Sequence, residues 1–285
     1  MKGTLMHPIF KPPLLMLKRD GADEMEFDVL LPALVFSLTT VTVLLYQRFK
    51  GRFTSIFGEK KITVRDAVLM VAFMGLMVTA VVFIPKLAVQ VIFVAAYSYV
   101  MFSFTYVLLK RWYAAAILPT VFILSYILYW KLWVFNIFVA VFAVMIPLYI
   151  GALFSWKTTW VFAAVLTVMD VIQVFGTGFM GESAVKMIEL KLPVALLIPA
   201  FPAGRMIGLG LGDIFLAGLL AVQTALKENR KAGILTAAAI GSALFIFEVA
   251  LFNVAYFRFF PATVVVIVGW LAGIGITRVT TRLHS

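Results

Sequence analysis

Of the thirteen Asp and Glu residues in this chain, three stand inside long apolar runs: Asp170, Asp213 and Glu248. The rest fall in the N-terminal arm, in loops or at the ends of those runs. A charged Asp at the centre of a membrane helix costs about 2.5–3.5 kcal/mol on insertion scales, so a carboxyl group placed there is paired, neutral or functional. Depth relates two of the three. Asp170 lies about six residues before the end of one apolar run, and Asp213 about seven residues after the start of the next. At 1.5 Å per residue, both would sit roughly 9–11 Å from the same membrane surface on antiparallel neighbours. Residues 208–213 read Gly-Leu-Gly-Leu-Gly-Asp, and Gly210, Asp213 and Ala217 would share one helical face. Small residues let helix backbones come close in lipid, which is also what an ordinary packing motif does. Two carboxyl groups sharing a site do not easily both ionise and hold one proton between them. An aspartic protease uses that state: one carboxylate takes a proton from water, the water attacks a peptide carbonyl, and the other carboxyl protonates the carbonyl oxygen.

The rest of the composition narrows the chemistry. The chain has no Cys and only two His, His7 and His284, both near the termini. Thiol nucleophiles, thiolate metal sites and disulfides are excluded, and so is a histidine triad or histidine metal site within the membrane. Hydrophobic residues make up 64% of the 285 residues and charged residues 13%, with a mean hydropathy of +1.07. A soluble domain carries about 45–50% apolar and about 25% charged residues, so a soluble enzyme, a disordered chain and a nucleic-acid module are excluded. The net charge of +11 comes from basic residues scattered singly or in small groups between apolar runs. They read as headgroup contacts and topology signals rather than as a nucleic-acid surface.

A spanning helix needs about 20 mostly apolar residues. On that criterion the sequence predicts an all-α, polytopic membrane protein with nine spans: residues 29–47, 67–84, 87–109, 113–130, 132–154, 160–175, 206–226, 232–256 and 260–279. Residues 1–28 form a polar, proline-containing arm. Residues 29–156 are expected as a scaffold of five helices, and 157–285 as the part carrying the aspartates. One apolar run is too short to span: residues 192–201 (LPVALLIPAF), with Pro193 and Pro199 inside and Pro202 after. It reads as an extended or re-entrant segment, tolerated at membrane depth only where protein buries it or a wet cavity adjoins it. The first loop holds Arg48, Lys50, Arg52, Lys60, Lys61 and Arg65, which favours an outside N-terminus and a cytoplasmic C-terminus. Lys18 and Arg19 oppose that assignment.

At these residues the sequence resembles the presenilin and signal peptide peptidase family of intramembrane aspartyl proteases. The match is carried by Asp170 with Val174, Phe175, Gly176 and Thr177 after it, by residues 191–199 (KLPVALLIP), and by Gly210, Leu211, Gly212 and Asp213. It covers roughly residues 169–263, and the first five spans match only as apolar helices. Two positions depart from the family pattern. Met169 stands where a Tyr is common, and Pro261-Ala262-Thr263 stands where the family has Pro-Ala-Leu. Proline is also a common first-turn residue with no further role. The resemblance implies proteolysis of membrane-spanning peptides, with Asp170 and Asp213 as the catalytic pair. It implies that Gly210, Leu211, Gly212, Val194, Leu196, Ile198, Pro261, Ala262 and Thr263 support the site or contact substrate. It calls for no metal and no cofactor.

A peptide bond inside a helix is covered, so such a substrate must unwind, and its freed backbone groups need new partners. Residues 194–198 could supply them by strand addition. Gly176, Gly178 and Gly181 are candidate hinges. Glu248, Gln173 and Asn136 read first as packing polar groups. The expected partners are transmembrane peptides and membrane lipids, with no nucleic acid and no accessory subunit required by the sequence. Two other functions use similar residues. One is a proton or cation pathway through Asp170, Asp213 and Glu248. The other is a prepilin-type peptidase, which also uses a GxGD aspartate.

Overall fold

The computed structural model describes residues 26–57, 61–202, 204–254 and 259–283. The elements are α1 (Leu30–Phe57), α2 (Val64–Phe83), α3 (Lys86–Leu109), α4 (Trp112–Leu128), α5 (Leu132–Gly151) and α6 (Trp156–Val171). A π-helical turn, Ile172–Thr177, continues α6. Then come α7 (Phe179–Glu189), β1 (Ala195–Pro199), β2 (Met206–Gly210), α8 (Leu211–Lys227), α9 (Arg230–Asn253) and α10 (Ala262–Leu283). The fold is all-α apart from one two-stranded hairpin. Among the described residues seven helices are long and apolar enough to cross a membrane, those of α1, α2, α3, α5, α6 with its π turn, α9 and α10. The expected arm, residues 1–28, lies outside the described residues except for Glu26, Phe27 and Asp28.

Local chemistry sets the helix ends. Thr63 and Asp66 form a capping box at the start of α2, and Ser155 with Thr158 form one at the start of α6. The Asn229 side chain caps α9. Asp28 caps α1: its Oδ1 accepts from the Leu30 N–H at 3.0 Å and its Oδ2 from the Leu31 N–H at 2.9 Å. Gly178, at φ 73°, makes the left-handed turn between the π segment and α7, a conformation that L side chains adopt at a cost.

At the centre stands α8. Every residue from Ile214 to Thr224 is buried, and the helix packs on α1, α5, α6, α9 and α10. A helix apolar on all sides belongs inside a bundle. Gly218 lets Pro147 of α5 lie against it, since a Cβ there would be 2.9 Å from Pro147 Cγ. The pair α9–α10 is equally close. A Cβ at Gly269 would fall 2.6 Å from the Ile240 Cα, and one at Gly273 would fall 2.8 Å from the Thr236 Cα. One continuous core runs from Leu31 to Ile274, so the expected scaffold and aspartate-bearing parts share a single interior. By contrast, α4 packs chiefly on α3 at the edge of the bundle.

The structure differs from the sequence reading between residues 176 and 210. The stretch between the sixth and seventh expected spans holds α7, ahead of β1, which lies within residues 192–201 and is extended as expected. Residues 206–210, expected as the start of a span, form β2. Glycine costs a helix about 1 kcal/mol relative to Ala, and two of these five residues are Gly208 and Gly210. Gly208 also gives room to Leu197 across the hairpin, where a Cβ would be 2.7 Å from Leu197 Cδ2. The helix therefore starts at Leu211 and has 17 residues, as does α4. This is why the seven long helices fall short of the nine expected spans. At the other end of the chain, α1 runs well past the expected end at residue 47, through Arg48, Lys50 and Arg52.

Candidate functional site

Asp170 sits near the end of α6, two residues before the π turn, and is 4% exposed. π-helical turns inside α-helices are frequent at functional sites because they re-aim side chains. The start of α10 points at Asp170. The Thr263 hydroxyl donates to Asp170 Oδ2 at 2.7 Å, and the Thr263 backbone N–H is directed at the same carboxyl. First-turn N–H groups of a helix have no intrahelical acceptor, so a carboxyl group is a natural partner. Pro261, just before α10, removes one such orphan donor, and Pro261 and Thr263 are both buried while Ala262 is half-buried.

Asp213 is the third residue of α8, and the Gly210 backbone N–H at the helix cap is directed at its carboxyl. An acidic residue three places after the cap that folds back on the cap N–H is half of a capping box. Gly210 is not helical, so Gly210, Asp213 and Ala217 do not form the shared helical face that the sequence suggested. Gly210 serves the site through space instead: a Cβ there would lie 2.9 Å from Asp213 Oδ2. Asp213 is half-buried, with exposed Gly212 beside it. The helices α6 and α8 that carry the two carboxyl groups are in contact, and Asp170 lies close enough for its charge to act on Asp213.

The hairpin leads directly into Asp213. Its strands are antiparallel, with Ala195 opposite Gly210 and Pro199 opposite Met206. The Ala200 N–H donates to the Arg205 carbonyl at 2.6 Å, and the Leu211 N–H to the Val194 carbonyl at 2.8 Å. Antiparallel bonding alternates, so the even residues of β1 face β2 and the odd residues face away. Pro199 is odd-numbered, so its missing N–H costs no ladder bond. At Leu197 the outward edge is already occupied. Asn136 Nδ2 of α5 donates to the Leu197 carbonyl at 2.6 Å, and the Leu197 N–H donates to Asn136 Oδ1 at 3.0 Å. Val194, Leu196 and Ile198 were expected to support the site or contact substrate. Leu196 and Ile198 are buried in the core with their backbone turned to β2, and the Val194 carbonyl is taken by Leu211. The free edge is that of β2. Met206 and Gly208 are exposed there, and no described residue pairs with their backbone groups.

Several residues that hold this site were not picked out by the sequence. Gly75 of α2 is one: a Cβ there would be 2.5 Å from Met169 Sδ, so α2 packs directly against the turn that carries Asp170. Gln173 Nε2 donates to the Gly75 carbonyl at 2.8 Å, while its Oε1 is buried without a partner among the described residues. A groove of about 500 Å³ between α2 and α6 runs alongside, lined by Gly75, Leu76, Thr79, Met169, Gln173 and Thr177. Lys186 of α7 is another. Its Nζ donates to the carbonyls of Val81, Val82 and Ile84 at the end of α2, at 2.6–2.9 Å. Tyr126 and Trp130 hold the turn after α7 through the carbonyls of Leu190 and Lys191. Asp28 is the third. Besides capping α1, its Oδ1 accepts from the Phe201 N–H at 2.6 Å, and Glu26 pairs with Arg205. Asp28 could have been found, since Asp before an apolar run is a helix-start signal. Gly75 and Lys186 carry no such signal.

Of the candidate hinges, Gly178 has the positive φ, Gly181 makes room for Phe259, and a side chain at Gly176 would meet only Ile172. Glu248 is buried, near enough to Asp28 for that charge to act on it, with Oε2 unpartnered among the described residues. No cluster of three or more metal-ligating side chains occurs among the described residues. No protein-family model matches the chain, and no curated protein matches it. The fold itself defines the class: an all-α, multi-pass membrane protein with a buried Asp170 on a helix in contact with the one that carries Asp213.

Proposed function

We propose that the protein is an intramembrane aspartyl endopeptidase of the presenilin and signal peptide peptidase type, cleaving transmembrane segments or signal peptides. The observation that carries this reading is the pair itself: Asp170, anchored by Thr263, lies within reach of the charge of Asp213, which stands at the open end of a β-hairpin. One carboxylate of the pair takes a proton from a water molecule as the water oxygen bonds to the scissile carbonyl carbon. The other carboxyl gives its proton to the carbonyl oxygen. The resulting diol then collapses: the C–N bond breaks, the amide nitrogen takes the proton held by the first carboxyl, and one hydroxyl returns its proton to the second. No other group is consumed.

The hairpin supports a substrate that arrives unwound. Asn136 covers β1 at Leu197, so an extended segment pairs with the free edge of β2, three to seven residues before Asp213. The reading includes nine crossings rather than seven. The helices α4 and α8 have 17 residues each, at the lower limit of about 17 for a span. An odd number of crossings places the termini on opposite sides, with the N-terminus outside by the charge of the first loop.

The test is cleavage of a single-span peptide by purified protein in bilayers, beside Asp170→Asn and Asp213→Asn. Cleavage within the apolar segment that either substitution abolishes is the expected result. Cutting by both variants at the wild-type rate would remove the proposal.

A further inference from the structure

Resting on that reading, we infer that Thr263 is the positioning residue of Asp170: its hydroxyl fixes the carboxyl plane of one member of the pair and leaves the other member free to move its proton. Three observations carry this. The Thr263 Oγ1 to Asp170 Oδ2 bond of 2.7 Å joins two side chains that are each 4% exposed, so bulk water does not compete for it. Thr263 stands in the first turn of α10, and its backbone N–H is directed at the same carboxyl, so one residue contributes two donors. Asp213 has a different setting. It is half-buried beside exposed Gly212, and the only N–H directed at it among the described residues comes from its own helix cap, Gly210.

The two aspartates are therefore not equivalent. Asp170 is held by a second helix, and Asp213, among the described residues, by the cap of its own helix. Donation from the hydroxyl to Oδ2 favours the ionised form of Asp170, so the proton that the pair shares lies on Asp213. The attacking water then meets Asp170 in one fixed orientation, which is what a general base requires. A leucine at position 263 would bring a larger apolar side chain and no hydroxyl donor, whereas valine matches the shape of threonine without the hydroxyl. The hydroxyl is thus a feature of this chain's own residue and not of its shape.

The experiment compares Thr263→Val, Thr263→Ser and Thr263→Leu. Valine keeps the branched shape and removes the donor, while serine keeps the donor and removes a methyl group. Loss of one buried hydrogen bond at a reacting group corresponds to roughly a tenfold fall in rate. We expect Thr263→Val and Thr263→Leu to lower kcat about tenfold with KM unchanged, and Thr263→Ser to stay within about twofold of wild type. A second readout needs no turnover. The carboxyl stretching band of Asp170 is identified by its loss in Asp170→Asn in infrared spectra of the purified protein. It should shift in Thr263→Val and keep its wild-type position in Thr263→Ser.

Equal kcat in Thr263→Val and wild type, or equal losses in valine and serine variants, would overturn the inference. So would an Asp170 band unmoved by valine. If the wild type cleaves no peptide at all, the protease reading falls, and the infrared comparison alone decides whether Thr263 holds Asp170.

Discussion

Gly210→Ala is the sharpest test of how the hairpin serves the aspartates. The added Cβ would stand 2.9 Å from Asp213 Oδ2, against the 3.4 Å where ordinary contact begins, so the carboxyl must retreat by about 0.5 Å. The backbone does not resist the change, because Gly210 has φ −59° and ψ 140°, which any residue adopts. Stability should therefore be nearly unaltered, since the small entropic gain of Gly→Ala offsets the crowding. Activity should not. A misplacement of 1 Å at a reacting group costs on the order of 100-fold, so about 0.5 Å corresponds to roughly tenfold, or about 1.4 kcal/mol of barrier. The assay is peptide cleavage in bilayers beside thermal unfolding of the same samples. Gly275→Ala is the control, because a Cβ there meets nothing within 4 Å. Gly212→Ala is the third variant. Its methyl group also meets no protein atom within 4 Å, so any loss there reflects contact with bound peptide and appears in KM. Wild-type kcat in Gly210→Ala would refute the placement of Asp213 against Gly210. A large loss of thermal stability in Gly210→Ala would refute the claim that the residue acts through space at the carboxyl alone.

Other perturbations follow from the same contacts. Asn136→Asp keeps the side-chain size but sets a carboxylate against the Leu197 carbonyl, and should destabilise the fold by about 2–3 kcal/mol and lower cleavage, read by thermal unfolding and peptide assay. Lys186→Met removes a cation that serves three carbonyls at the end of α2. It should cost about 2 kcal/mol and speed amide exchange in α7 more than in α8, and equal exchange in both helices would contradict this. Asp28→Ala removes the α1 cap and the bond to Phe201, for about 2 kcal/mol by thermal unfolding, while Asp28→Asn should recover part of that loss. Gly75→Val would press on Met169, with overpacking of about 1–3 kcal/mol and slower cleavage expected.

The apolar runs determine the class of protein by themselves. A run of about 20 apolar residues has no favourable place in water, and in lipid its backbone must close its own hydrogen bonds. Composition alone therefore yields a helical membrane protein. Asp170 and Asp213 were legible for a related reason, since a carboxyl within such a run is too costly to be incidental. The bracketing prolines gave away the extended segment at β1, because they break helices wherever they fall.

What the sequence could not decide is how that segment is completed. Residues 206–210 read as helix by hydropathy, and they become β2 only because β1 lies within reach to pair with them. That choice moved Asp213 from about two turns inside a helix to its third residue, and it placed Leu196 and Ile198 in the core. Asn136 and Thr263 have local sequences that fit a packing amide and a first-turn residue equally well. Their partners, Leu197 and Asp170, lie 61 and 93 positions away. Hydropathy and capping are local properties and can be read along the chain, whereas a hydrogen bond between distant residues exists only once packing has brought its two ends together.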